Sequence, residues 1–461
     1  MIQQILTIGI FRADKSWMRM GPVIWVVDLQ LAVVMMLPAQ GIKHNGSTLS
    51  LRLLPNLNSS HAVLKIKQNM NEQNILEHAR AKKVAIKFME FYGNSPLVVR
   101  SPGRINIIGE HTDYNEGFVL PAAIDKAAYL AVSLRDDEEI HLTALDLDQT
   151  FSVSIKALRP LENNSWPNYI LGPAAQFRKK GIALKGFNAV LTSDVPIGAG
   201  LSSSAAVECA TVFALNELLH TSLEKLEMIK MAQEAEHEYA RVMCGIMDQF
   251  ASMMGKKDHV IKLDCRSLQY NYVPFTLEGI KIILLDTKVK HALASTEYNT
   301  RRNECNQAVE WVREHEPHVR SLRDVSEAML DKYVLPKNKL IDTRSRFVIQ
   351  EIGRLITGCE DLEKGDIWAL GKKMFATHDG LSKMYEVSCK ELDYLVDFVR
   401  NDKAVIGARM MGGGFGGCTI NLVMESAVPS LVKQVSAQYL QQTGIELDTY
   451  VVSISDGTAK S

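Results

Sequence analysis

The chain has no CxxC pair, and its seven cysteines, at positions 209, 244, 265, 305, 359, 389 and 418, are scattered and odd in number. This speaks against a disulfide framework and gives no support to a zinc site. Free thiols point instead to a reducing cytoplasm. Neither sign of charge is in excess: the formal net charge is −1, which argues against a surface dedicated to nucleic acid or anionic membrane. Internal repeats, low-complexity segments and long linkers are all missing. No apolar run is long and clean enough to span a membrane. Between Pro22 and Pro38 the chain is mostly apolar, but Asp28 and Gln30 interrupt it. A span wants about 20 apolar residues, and an aspartate inside one is costly. Pro38-Ala39-Gln40 is a poor signal-peptidase site.

What is present is a chain of 461 residues, 46% hydrophobic and 23% charged. That is the composition of a soluble globular protein of two or three domains. Met70 opens a polar, helix-like stretch, MNEQNILEHARAKKVAIKFMEFYG, which leads directly into the first motif. Met70 is therefore the expected natural start, and residues 1–69 are expected to be an extension outside the folded, working protein. Helical spacing runs over 74–92. Strands are expected at 97–100, 127–134, 140–145, 187–191, 260–263, 280–285, 419–424 and 450–455, with Ser101-Pro102-Gly103 breaking the first of them. Thr221 and Glu224 have capping-box spacing, predicting a helix from there to about Arg241. The stretch 295–400 reads as largely helical, and a domain seam is expected near Asp286.

Three motifs stand out. The first, GRINIIGEHTDYNEGFVLP from Gly103 to Pro121, begins β-branched and buried in character. It then turns abruptly polar at Glu110, His111, Thr112 and Asp113, with a fixed charge at Arg104. Such groups suit a small polyhydroxylated ligand. The second, VPIGAGLSSSAAVECA from Val195 to Ala210, places Gly198, Ala199, Gly200, Leu201, Ser202, Ser203 and Ser204 ahead of a helix. A glycine-rich loop at a helix N-terminus offers free N–H groups to phosphate. It is not a Walker A loop, since no lysine follows. The third, RMMGGGFGGCTINLV from Arg409 to Val423, has five glycines interrupted only by Phe415, so its backbone is expected to press on a ligand or another backbone. Asp248, within CGIMDQFAS, sits among apolar residues, where a carboxylate is paired or functional. On spacing alone, Glu234, Glu236 and Glu238 read as a solvated helix face, and His237 and His378 as structural.

Together these residues resemble the galactokinases, a group of the GHMP small-molecule kinases, over about residues 70–461. LDCRSL (263–268), STEYNTRR (295–302) and YEVSCKELD (385–393) strengthen the likeness. The resemblance implies an α+β, two-domain GHMP kinase fold. Its N-terminal domain, 70–285, would resemble ribosomal protein S5 domain 2, and its C-terminal domain, 286–461, would be ferredoxin-like, with the site between them. It further implies phosphoryl transfer from ATP to the anomeric hydroxyl of galactose. Asp248 would be the catalytic base, with Arg104 beside it. Glu110, His111, Thr112, Asp113, Gly245 and Tyr298 would line the sugar pocket. Gly198 to Ser204 would cradle ATP, Trp166 and Tyr169 would flank adenine, and Ser204 and Glu236 would bind Mg²⁺. Met411 stands where many relatives carry threonine. A monomer acting on galactose and ATP, without nucleic acid or membrane, is expected. The alternatives are an N-acetylgalactosamine kinase and a non-catalytic galactose sensor. Sensor relatives lose residues just after the serine run, whereas Ser204-Ala205-Ala206 is intact here.

Overall fold

The computed structural model describes residues 23–28, 33–38, 77–162, 166–290 and 294–461. The chain divides into two units, Met1–Gln68 and Asn69–Ser461. In the first, strand Val23–Asp28 pairs antiparallel with Val33–Pro38. Among the described residues, no helix is long and apolar enough to cross a membrane.

The second unit carries two principal sheets. The larger has six strands in the order 459–460, 97–106, 121–134, 187–193, 139–144 and 149–154. Only the pairing of Glu139–Ala144 with Phe187–Ser193 is parallel. Val99, Ile105, Leu130, Leu142 and Ala189 lose essentially all their accessible surface here and pack with the helix Ser203–Leu219 in one core. That helix has apolar residues all round, as suits a helix covered on every side. The expected break at Ser101-Pro102-Gly103 is instead a β-bulge. Strand Leu97–Asn106 runs through it, with its register shifting between Pro102 and Arg104. A proline lacks the donor a regular ladder needs, and a bulge accommodates that.

The second sheet has the order 405–410, 416–424, 280–290 and 448–452, antiparallel throughout. With the long helical insert 294–400 and the helix Val428–Thr443, it follows the β-α-β-β-α-β pattern of a ferredoxin-like layer. The anticipated seam at Asp286 falls inside strand Ile280–Lys290, which belongs to this sheet along its whole length. The last strand, Ala459–Lys460, returns to pair with Arg100 and Val99 in the first sheet. The two lobes are therefore not separate consecutive stretches of chain.

Two helix ends also differ from expectation. Glu224, not Thr221, is the N-cap of helix Lys225–Ala235, and Glu227 reaches back to the Glu224 N–H at 3.4 Å. Thr221 instead donates its hydroxyl proton to Asn216 Oδ1 at 2.8 Å, closing the preceding turn. The helix then passes into a π turn, Glu236–Ala240, and stops at left-handed Arg241.

Candidate active site

The first motif leaves the six-stranded sheet at Asn106 and meets the second lobe, the Gly109 N–H donating to Glu351 and Glu110 accepting from Arg409. Thr112 does not meet the sugar-lining expectation. It has no accessible surface, and its hydroxyl faces the carbonyls of Gly109 at 3.0 Å and Phe118 at 2.5 Å. It closes the loop that displays its neighbours. Glu110 is likewise committed: its Oε1 accepts from Arg409 Nη2 at 3.0 Å and from the Gly412 N–H at 2.9 Å. Arg409 is fully buried and also donates to the backbone carbonyls of Asn106, Ile107 and Met410. The first and third motifs are therefore stitched together through one buried ion pair.

His111, Asp113 and Tyr298 do converge. The His111 and Tyr298 ring centroids lie 5.4 Å apart. Burial lowers the imidazole pKa to about 4, so the ring is neutral. Asp113 accepts the Tyr114 N–H at 2.9 Å. Burial, followed by the charge of Asp248, pushes its carboxyl up to about 7. Gly245 borders this group closely enough that a Cβ there would lie 1.8 Å from Asp113 Oδ2. Gly245 contributes by having no side chain.

Asp248 opens the helix Met247–Met254. Arg104 holds it through two parallel bonds, Nε to Oδ1 at 2.8 Å and Nη2 to Oδ2 at 2.9 Å. Ser202 Oγ donates to the same Oδ2 at 2.5 Å. Burial opposes the Arg104 charge, but Asp248, Glu110 and Asp113 more than offset it and keep the guanidinium protonated. Arg104 Nη1 also reaches the Gly200 carbonyl at 2.5 Å. These three donors still leave Oδ1 a second lone pair for a substrate hydroxyl.

The Gly198–Ser204 loop joins this pair directly. Gly198, Gly200 and Ser202 all take positive φ, +81°, +78° and +57°. At Gly200 that backbone brings the carbonyl onto Arg104 and the following N–H groups to the start of helix Ser203–Leu219. Gly412 and Gly417 of the third motif lie against the backbone of Gly198–Gly200. The glycine cluster thus braces the loop, as its composition predicted. Ala199 and Leu201 point into the core. Met411 is buried there too, 1% exposed, so this position has an apolar packing role. Trp166 and Tyr169 pack partly buried against the same core.

Glu236 lies at the π turn with its Oε1 2.9 Å from Ser204 Oγ. Its Oε2 is held by Gln249 Nε2 at 2.5 Å and by Cys244 Sγ at 3.5 Å. Glu236 is therefore buried in the site, not on a solvated face; Glu238, which pairs with Lys179 and Gln176, and half-exposed Glu234 do lie outward. Among the described residues no group of three or more His, Cys, Asp or Glu is arranged to hold a metal.

Three family profiles match this chain: the galactokinase galactose-binding signature over 86–134, the GHMP kinases N terminal domain over 168–256 and the GHMP kinases C terminal over 360–441. It is 41% identical to the galactokinase of Thermotoga maritima, across 79% of this chain and 100% of that one. The Clostridium acetobutylicum galactokinase is 38% identical, across 81% and 96%. The chain belongs to the galactokinase family.

Among solved structures, Lactococcus lactis galactokinase complexed with galactose superposes with a TM-score of 0.79 at 32% identity, covering 82% of this chain and 99% of that one. Mevalonate kinase of Methanococcus jannaschii, at 18% identity and TM-score 0.56 over 79% of this chain and 99% of that one, shares the fold. Within this galactokinase-family scaffold, sequence reading overlooked Arg409 and Gln249. Arg409 could have been noticed as a lone charge in the apolar strand VIGARM; Gln249, beside Asp248, carried no such signal.

Proposed function

We propose that this chain transfers the γ-phosphoryl group of ATP to the anomeric hydroxyl of galactose, giving galactose 1-phosphate and ADP. The observation that carries this reading is the Arg104–Asp248–Ser202 constellation. It ties a basic carboxylate at once to the sugar-side cluster and to the phosphate-type loop. Asp248 takes the hydroxyl proton on the free lone pair of Oδ1. Arg104 holds the Asp248 carboxylate in place, and its charge offsets the negative charge that develops during transfer. His111, Asp113 and Tyr298 orient the sugar, while Glu110 and Thr112 hold the loop that presents them. The N–H groups of Gly198–Ser204 receive the phosphates.

Ser204 Oγ and Glu236 Oε1 are adjacent hard oxygen donors, which suit Mg²⁺ shared with nucleotide oxygens. The ion would neutralise phosphate charge, and Gln249 fixes the Glu236 carboxylate toward Ser204. We place the protein in the cytoplasm, which its unpaired thiols support, and we propose that it works as a monomer.

A panel of galactose, N-acetylgalactosamine, glucose and mevalonate, read by ADP release, tests the substrate. Turnover should be greatest with galactose; preference for the N-acetyl sugar, or no turnover at all, overturns the reading. Asp248→Asn should fold and bind galactose but lose about 10²–10⁴-fold or more in kcat. Near-wild-type turnover would remove Asp248 from the role.

A further inference from the structure

His111 stands at the end of a buried chain of hydrogen bonds that leaves the site. Its Nδ1 lies 2.8 Å from Tyr114 Oη. Tyr114 Oη lies 2.7 Å from Tyr385 Oη, which lies 3.3 Å from Cys305 Sγ. Asn115 Nδ2 donates to that sulfur at 3.6 Å. Tyr385 and Cys305 are almost wholly buried. The other imidazole nitrogen, Nε2, is buried and has no hydrogen-bond partner of ordinary geometry. The phosphoryl transfer described above gives Tyr114, Tyr385 and Cys305 no part.

We propose that this chain orders protons in one direction and thereby sets the tautomer of His111. Cys305 S–H donates to Tyr385, Tyr385 O–H to Tyr114, and Tyr114 O–H to Nδ1, so that His111 presents Nε2–H to a sugar oxygen. The inference rests on the reading that His111 faces the sugar. Two features choose this direction over its reverse. Sulfur is a weak acceptor, and Asn115 already aims an N–H at Cys305, so the thiol proton turns toward Tyr385. The reverse direction would leave the buried, unpartnered Nε2 as a bare lone pair, whereas the Glu110 charge and the Gly413 backbone, against that of Arg301, favour a proton on the ring. Burial keeps the imidazole neutral, so one nitrogen alone carries hydrogen. The Tyr385 ring, 4.9 Å from that of His111 between centroids, holds the imidazole in place. Tyr114 and Tyr385 are positioning residues in this arrangement, and Tyr385 brings the helical C-terminal lobe into the sugar site.

Tyr385→Phe keeps the ring and deletes the hydroxyl. In the full chain labelled with ¹⁵N-histidine, His111 signals are assigned by their loss in His111→Gln. Wild type should show a protonated Nε2 and a lone-pair Nδ1. Tyr385→Phe should show a mixed or reversed tautomer and a galactose KM raised about tenfold, with a smaller change in kcat. Cys305→Ser, which keeps a donor, should retain the wild-type tautomer, and Cys305→Val should shift it. A proton on Nδ1 in the wild type overturns the proposal without any variant. So does Tyr385→Phe with unchanged tautomer and KM. If His111→Gln itself leaves galactose KM unchanged, the sugar-site reading fails. If that variant raises KM while Tyr385→Phe changes nothing, only the proton chain fails.

Discussion

Three carboxylates crowd the centre of the site, and their partners separate their roles. Asp248 has a bidentate guanidinium and a hydroxyl. Glu236 has a hydroxyl, an amide and a thiol. Asp113 has a backbone N–H and no cationic side chain bonded to it, so burial and Asp248 raise it from an ordinary 3.8 to about 7. The folded protein therefore binds this proton more tightly than the unfolded chain does. Stability from this group is full below about pH 4 and is lost as pH rises through 7. Asn cannot ionise, so Asp113→Asn should melt progressively higher than wild type from pH 4 to pH 8, by roughly a few degrees at the upper end. Melting curves of the ligand-free proteins across that range check this; a constant offset would mean Asp113 does not titrate there. At this scale much was legible. EHTDY, DQF and the serine run are contiguous, so their side chains are close for covalent reasons. The Glu110–Arg409 pair was not legible, because it joins positions 299 apart.

Elements meet at distances that side-chain patterns do not reveal. Helix Ile367–Lys383 packs on strand Val405–Met410 through Gly371 and Gly407, and a Cβ at Gly371 would fall 2.0 Å from the Ile406 carbonyl. Backbone cannot move aside as a flexible side chain can. Gly371→Ala should therefore destabilise by about 1–3 kcal/mol and leave galactose KM unchanged. Thermal melting with kinetics at low temperature measures both, and an unshifted melting point would refute the close packing. The π turn at Glu236–Ala240 carries a related lesson. Periodicity predicted a regular helix to Arg241, with Glu236 on its solvated face. The extra residue in the turn goes with a Glu236 that faces Ser204, and π turns favour functional positions of this kind.

Across the whole molecule, the relatives align along 79–82% of this chain while covering nearly all of their own length. The three family matches, between residues 86 and 441, all fall within the unit Asn69–Ser461. A protein of residues 70–461 should fold and keep kcat/KM within about twofold of the full chain, and a larger loss would give the first 69 residues a role in the enzyme. Mass spectrometry of the natural protein tests the start separately: a peptide from residues 1–60 would exclude initiation at Met70. Within the larger unit, crossed arginine–aspartate pairs tie LDCRSL to the turn Leu322–Asp324. Arg266 bonds Asp324 twice at 2.8 Å, and Arg323 bonds Asp264 at 2.5 and 3.0 Å. This gives the LDCRSL motif a structural meaning that its residues alone did not carry.

The sequence by itself determined the family and most of the strands and helices, and it singled out the glycine-serine loop and Asp248 as candidates. Each of these depends on neighbouring residues or on short-range periodicity. The tertiary structure alone decided that Glu110 and Thr112 brace the site, that Glu236 turns inward, that strand Ile280–Lys290 crosses the expected seam, and that Tyr385 reaches His111. Each of those outcomes is a contact between distant segments. Burial there removes water, leaving polar groups to find partners within the protein, and chain folding alone selects which partners are in reach.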